Sequence, residues 1–405
     1  MRLHRNLVFT VLDALVLIFN EGKYADKVIE SALKKDKRWG ARDRAFIAST
    51  TYEMVRYKRL YAEIAGVSEP FTPENLRRMF AVWTTLKAVV IPADWPEFEA
   101  TPSRKIKGRF DELRKHRAIR ESIPDWLDKL GSESLGEPLW DSELSALNKE
   151  AEVILRVNSL KTTLEQAQKR LEEEGVLTEP IANLPGALKL KERHNVFLNQ
   201  SFKDGWYEVQ DASSQKVAAL LDVKPGQRVI DTCAGAGGKT LHISALMQNK
   251  GQLIAMDIHP YKLQTLKLRA RRAGAHNIET RAITSSKTLK KLHGSADRVL
   301  IDAPCTGLGV LRRNPDAKWK IDSEFLDRVI QTQQEILQSY AKLVKPGGKL
   351  VYATCSILPQ ENNEQVVAFM NSEASKGFRL IKEHNLYAST DLYDGFFMAL
   401  FERES

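Results

Sequence analysis

Ala296-Asp297-Arg298-Val299-Leu300-Ile301-Asp302-Ala303-Pro304-Cys305-Thr306-Gly307-Leu308-Gly309 is the stretch on which the fold turns. Val299, Leu300 and Ile301 form a short continuous apolar run, the pattern of a strand buried on both faces of a parallel sheet. Pro304 has no N–H to give to a sheet ladder, so the strand stops at Asp302. A carboxylate and the Cys305 thiol therefore stand at the carboxyl end of a strand, the edge where open α/β sheets bind their ligands. The pattern returns at Leu350-Val351-Tyr352-Ala353, which runs into Thr354-Cys355-Ser356. Two thiols and one acid converge on one rim.

Outward from this point, strands at Arg228–Thr232, Gln252–Met256, Ile278–Ile283, Arg298–Ile301 and Lys349–Ala353 alternate with helices. The helices fall at Lys239–Met247, Pro260–Ala273, Glu324–Leu343 and Asn362–Asn371, and a terminal strand pair, Phe378–Ile381 and Phe396–Glu402, follows. This alternation predicts an α/β fold, a doubly wound Rossmann-like sheet over residues 206–405. Residues 131–205 read as a small α+β module, with a strand at Val153–Asn158, a capped helix from Thr163 to Glu174 and a strand at Leu188–Leu190. Residues 1–130 read as an all-α domain. Val28, Ile29, Ala32, Leu33, Phe46, Ile47, Tyr52, Val55 and Leu60 recur at helical spacing, with breaks at Pro70–Pro73 and Ile91–Pro96.

The chain has 405 residues, 43% apolar and 28% charged, which suits two or three globular domains. No apolar run approaches the length of a membrane span. Leu7–Phe19 is apolar, but Asp13 interrupts it and no small-residue cleavage site follows, so an amphipathic first helix is expected. The formal net charge of +9 suits a polyanionic partner without identifying one. Arg104–Arg120 sets eight basic residues against Asp111 and Glu112, a solvated helix face or, in a sharper reading, a phosphate-contacting surface. Three cysteines, an odd and small number, exclude a disulfide framework and point to a reducing, cytoplasmic setting. Their spacing matches no zinc site, and no metal is expected.

Val229-Ile230-Asp231-Thr232-Cys233-Ala234-Gly235-Ala236-Gly237-Gly238-Lys239-Thr240 is a strand, a glycine-rich turn and a helix start. The glycines permit tight turning and close approach of backbone to ligand. The helix start offers free N–H groups to a carboxylate. The spacing is too short for a phosphate loop and lacks the dinucleotide pattern. Asp257, after the next strand, suits ribose hydroxyls. An adenosine-type cofactor bearing a carboxylate fits both features, and S-adenosylmethionine has both.

Two cysteines and Asp302 beside such a cofactor suggest one chemistry. C5 of a pyrimidine is a poor nucleophile, and a thiolate adding at C6 makes it electron-rich enough to take a methyl group. An acid at N3 favours the adduct, and a base must then remove the C5 proton so that the thiol can leave. Lys239 and a helix terminus can favour the thiolate. Spacing alone leaves open which cysteine attacks.

The segments Gln210–Ser214, Asp231–Thr240, Asp302–Cys305, Arg312–Trp319, Tyr352–Ser356 with Glu361-Asn362-Asn363-Glu364, and Asp394–Phe397 resemble the RsmB and Nop/Sun family of S-adenosylmethionine-dependent RNA cytosine-C5 methyltransferases. Leu155–Lys161 resembles the family's small RNA-binding module. Residues 1–130, with Arg42-Asp43-Arg44 leading into Tyr52–Arg56, more loosely resemble the NusB-like domain of the RsmB branch, which methylates small-subunit ribosomal RNA.

The resemblance implies Cys355 as the nucleophile, Cys305 as the group that helps the adduct break down, and Asp302 at the cytosine edge and bordering the cofactor. Cys233, Ala234, Gly235, Ala236, Gly237, Gly238, Lys239 and Asp257 would hold S-adenosylmethionine. Arg156 and Asn158 in the module would meet RNA. Arg312, Arg313, Lys318 and Trp319 are placed to hold phosphates and stack a base, while Arg269, Arg271 and Arg272 read as an ordinary exposed helix face. The expected partner is RNA, ribosomal before transfer RNA, met by a monomer without membrane contact.

Two positions depart from the family's pattern. Gly235-Ala236 replaces the usual Ala-Pro in the glycine loop, and Ile283-Thr284 stands where an acid usually follows the third strand. The second departure leaves room for another reading, an RNA-binding ribosome assembly factor with weak or no methyl transfer.

Overall fold

The computed structural model describes residues 3–98 and 102–405. They pack as two compact units, Met1–Lys149 with Leu311–Asp322, and Glu150–Val310 with Ser323–Ser405.

In the second unit, a four-stranded sheet is built from β1 (Ile154–Val157), β2 (Thr178–Pro180), β3 (Ala187–Leu190) and β4 (Tyr207–Val209). Its order is β2-β3-β1-β4, all antiparallel. The helix Leu164–Glu173 covers it. Thr163 and Gln166 cap that helix reciprocally, each side chain accepting the other's backbone N–H. β4 lies just beyond the expected boundary at residue 205. It belongs to this sheet because Leu155 pairs with Val209 and Val157 with Tyr207, and that pairing closes the edge of β1.

The seven-stranded sheet comprises β5 (Arg228–Asp231), β6 (Gln252–Asp257), β7 (Ile278–Ala282), β8 (Ala296–Asp302), β9 (Val344–Thr354), β10 (Phe378–Leu386) and β11 (Phe396–Arg403). Its order is β10-β11-β9-β8-β5-β6-β7, parallel from β9 through β7 and antiparallel where β11 and β10 join. The chain reverses direction across the sheet at β5 and β8, so the loops after these strands open a crevice between them. Val299 and Ile301 bury on one face with Ile230, Leu350 and Tyr352. Leu300 buries on the other with Val229, Val351 and Ala353. Each such side chain is worth about 1.5–3 kcal/mol of burial, which is why an unbroken apolar run forms a central strand.

The first unit is helical. Its core gathers Leu7, Val11, Leu15, Ile47, Met54, Val55, Leu76, Phe80 and their neighbours. Arg5–Phe19 is the expected first helix, with its apolar face buried. The helices Asp125–Leu135 and Glu137–Leu147 also belong to this unit, so it runs past residue 130 to Lys149. Trp140 anchors them, since its indole fills the space left by Gly131 and donates to Asp128. Much of the basic run is spent inside this unit: Arg117 pairs with Asp128 and Glu137, Arg120 with Glu121 and Asp141, and Arg109 donates to the Glu63 carbonyl. Among the described residues, no helix is long and apolar enough to cross a membrane.

Candidate active site

β8 ends at Asp302 and β9 at Thr354, and their parallel pairing sets the two following loops side by side. The Ala303 N–H donates to the Ala353 carbonyl at 2.8 Å and the Gly309 N–H to the Cys355 carbonyl at 2.9 Å. A side chain at Gly309 would run into the carbonyls of Cys355 and Gly395, so only glycine lets the loops approach this closely. The consequence is a sulfur pair: Cys305 Sγ and Cys355 Sγ stand 3.2 Å apart, both half-buried.

Lys239 comes from the start of the helix Gly238–Leu246, after β5. Its ammonium donates to Asp302 Oδ2 at 2.7 Å and lies 5.2 Å from the centre of the Phe396 ring. Burial pulls this lysine down, but the charges of Asp302, Cys355 and Asp231 outweigh burial and hold it above the ordinary lysine value. Cys305 is pushed up, by its hydrogen bond with Cys355, by burial, and by the charges of Cys355 and Glu361. Cys305 is thereby held as a thiol.

The glycine loop spans Cys233–Lys239. Gly235 and Gly237 have φ of 54° and 91°, in the left-handed region. A Cβ on Gly235 or Gly238 would meet nothing within 4 Å, so both present bare backbone to open space. Asp257 is fixed at the end of β6: one carboxylate oxygen accepts the Gly235 N–H at 2.9 Å and the other the His259 N–H at 2.7 Å. Asp231, fully buried, accepts from the Thr240 hydroxyl through Oδ2, while its Oδ1 is orphaned. Burial raises Asp231 to about 7, and burial likewise pushes Cys233 far up, as befits an inert wall of the site. Bare glycine backbone, an oriented acid and an orphaned buried oxygen fit an adenosyl cofactor with a charged amino-acid end.

Several expected site residues stand elsewhere. Arg156 and Asn158 are buried and not at an RNA surface. Arg156 donates to Gln210 and to the Gly238 carbonyl at 2.7 Å, and burial draws it down to about 10. Asn158 donates to the carbonyls of Gly205 and Ala273. Both fasten the small module to the methyltransferase sheet's loops. Lys318 is 1% exposed within the helical unit, facing the Glu121 carbonyl and Asn148, and burial beside Arg56 drives it far below an ordinary lysine. It is a core residue, not a phosphate ligand. The Trp319 indole donates to the Val55 carbonyl at 2.8 Å. Arg312 and Arg313 are half-buried in the same unit, and Arg56 donates to the carbonyls of Leu311 and Arg312.

Arg269 and Arg272, expected on an open face, converge on Glu208, and Arg269 also donates to the Ala236 carbonyl at 2.8 Å. Arg269 thereby braces the glycine loop at Ala236, and Arg272 shares its Glu208 partner. Sequence reading missed this because the partner, Glu208, lies in another sheet.

Two family models match the chain: "16S rRNA methyltransferase RsmB/F" over residues 218–402 and "Methyltr_RsmF/B-like, ferredoxin-like domain" over residues 123–197. The second takes in the two helices that pack in the helical unit. The chain is 37% identical to the probable ribosomal RNA small subunit methyltransferase B of Synechocystis over 398 residues, 90% of this chain and 88% of that one. It is 34% identical to ribosomal RNA small subunit methyltransferase B of Vibrio cholerae over 310 residues, 74% of this chain and 70% of that one. The crystal structure of PH0851 superposes with a TM-score of 0.83 at 27% identity, each chain fully covered. A methyltransferase homologue from Pyrococcus horikoshii gives 0.61 at 26%, over 71% of this chain and 97% of that one. Paired thiols beside a glycine loop and a relative 37% identical over 90% of this chain agree: the chain belongs to the RsmB/F family of S-adenosylmethionine-dependent rRNA cytosine-C5 methyltransferases.

Proposed function

We propose that this chain methylates C5 of a cytosine in small-subunit ribosomal RNA, with Cys355 as the nucleophile and Cys305 as the group that releases the product. The observation that carries this reading is the Cys305–Cys355 contact of 3.2 Å at the strand ends that also hold the Lys239–Asp302 pair. Cys233–Lys239 and Asp257 would hold S-adenosylmethionine, which would supply the methyl group.

The steps follow from the residues. Cys355 Sγ bonds to C6 of the cytosine while Asp302 holds the N3 edge, so electron density moves to C5. After methylation, C5 carries both a proton and the methyl group. Removal of that proton lets the C6–S bond break and restores the aromatic ring. Cys305, a thiol 3.2 Å from the same sulfur, is placed to give its proton to Cys355 as the C6–S bond breaks, while the C5 proton passes to water acting as the base. A base stacked in a helix cannot present C6 to a thiol, so the target cytosine must be unstacked or flipped out.

The experiment is bisulfite sequencing of small-subunit ribosomal RNA from a strain lacking this chain. One cytosine reads as unmethylated there, is restored by the wild-type chain and is not restored by Cys355→Ala. Full methylation without the chain, or restoration by Cys355→Ala, contradicts the reading.

A further inference from the structure

Between the two backbone ties that join the β8 and β9 loops, the cysteine-bearing segments are joined through one carboxylate. Glu361, in the short turn Pro359–Glu361 beyond Cys355, is fully buried. Its Oε1 accepts the Thr306 N–H at 2.8 Å and the Gln333 side-chain amide at 3.1 Å. Its Oε2 accepts the hydroxyls of Thr306, at 2.5 Å, and of Ser356. Thr306 follows Cys305 directly and Ser356 follows Cys355. Gln333 also donates to the Pro304 carbonyl at 2.9 Å, so the residues on both sides of Cys305 are engaged. Tyr352 holds the turn itself, donating to the Glu361 carbonyl at 2.8 Å.

A carboxylate has four favourable acceptor directions, and here four donors meet it. Burying a charge this deeply is costly unless its hydrogen bonds are satisfied, and a core that needed only packing would take an apolar residue here. We propose that Glu361 is a positioning residue that holds the two cysteine loops in one register and so sets the distance between the attacking and the releasing sulfur. Its charge also reaches Cys305, where it adds to the hydrogen bond and the burial that keep that sulfur a thiol. The proposal rests on the two-cysteine reading above.

The test uses Glu361→Gln, which removes the charge, and Thr306→Val, which removes one hydroxyl donor at constant shape, with Thr306→Ser as the rescue. Turnover on unmethylated small-subunit ribosomal RNA is measured with the dissociation constant for S-adenosylmethionine. The relative alkylation of Cys305 and Cys355 by iodoacetamide, read by peptide mass spectrometry, needs no RNA. Glu361→Gln and Thr306→Val each lower kcat roughly tenfold to hundredfold, leave cofactor binding within about twofold, and raise alkylation of Cys305 relative to Cys355. Thr306→Ser recovers most of the lost rate. Folded variants with wild-type kcat and an unchanged alkylation ratio overturn the proposal. So does failure of both substitutions to fold, which makes the network structural. A wild-type chain that methylates no RNA would sink the functional reading instead, and the alkylation ratio would still report on Glu361.

Discussion

Lys239 Nζ lies 2.7 Å from Asp302 Oδ2, joining the glycine loop to the end of the strand that runs into the Cys305 loop. The helix after β5 and the end of β8 are thereby locked together at the point where the proposed reaction brings cofactor and target base together. Replacing Lys239 with Met removes the cation that both Asp302 and Cys355 face. The expected loss is roughly hundredfold in kcat/KM, with folding retained, measured by methyl incorporation into unmethylated small-subunit ribosomal RNA.

Arg269 braces the Ala236 carbonyl and is itself held by Glu208. Removing a charged hydrogen bond costs about 1.5–3 kcal/mol, so Arg269→Ala should weaken S-adenosylmethionine binding by roughly tenfold or more. At saturating cofactor, kcat should stay near wild type. Titration calorimetry measures the first quantity and steady-state kinetics the second.

Asp231 titrates near 7 in the folded protein against an ordinary value of 3.8, because burial penalises its charge. Between these values the folded state holds a proton that the unfolded chain has lost, so this group's contribution is full below the lower value and fades as pH rises towards 7. Asp231→Asn keeps the hydrogen-bonding shape and removes the titration. The stability difference between variant and wild type, from urea unfolding, should shift in the variant's favour between pH 5 and pH 8, where about one proton is at stake. A pH-independent difference would contradict the assignment.

Lys318 was expected to hold phosphate, and its burial gives a separate check. Each lysine that neutralises a phosphate adds about one unit to the salt dependence of RNA binding. Lys318→Met should leave that slope unchanged and alter the stability of the helical unit.

The middle of the sheet was legible because β5, β6, β8 and the second half of β9 are doubly buried apolar runs closed by Asp231, Asp257, Asp302 and Thr354, each at a strand end. The thiol pair was legible for the same reason: parallel neighbours end on one edge. Less legible was anything carried by partners far apart in sequence. Arg156 looks basic and surface-bound until Gln210 and Gly238 are folded against it. Lys318 and Trp319 lie in the loop that follows β8 and Cys305, yet the helical unit absorbs them. β4 escaped because three residues carry too little periodicity to mark a strand. Glu361 stood inside a recognisable motif, but nothing in its neighbours tells that it reaches Thr306.

In the proposed reaction Cys355 attacks and Cys305 releases. This assignment is tested most directly by incubating Cys305→Ala with labelled small-subunit ribosomal RNA and S-adenosylmethionine, then resolving the products under denaturing conditions. A covalent protein–RNA band should accumulate for Cys305→Ala and be missing from Cys355→Ala and from the double variant. Turnover by Cys355→Ala, or an adduct that survives the loss of Cys355, would contradict the account.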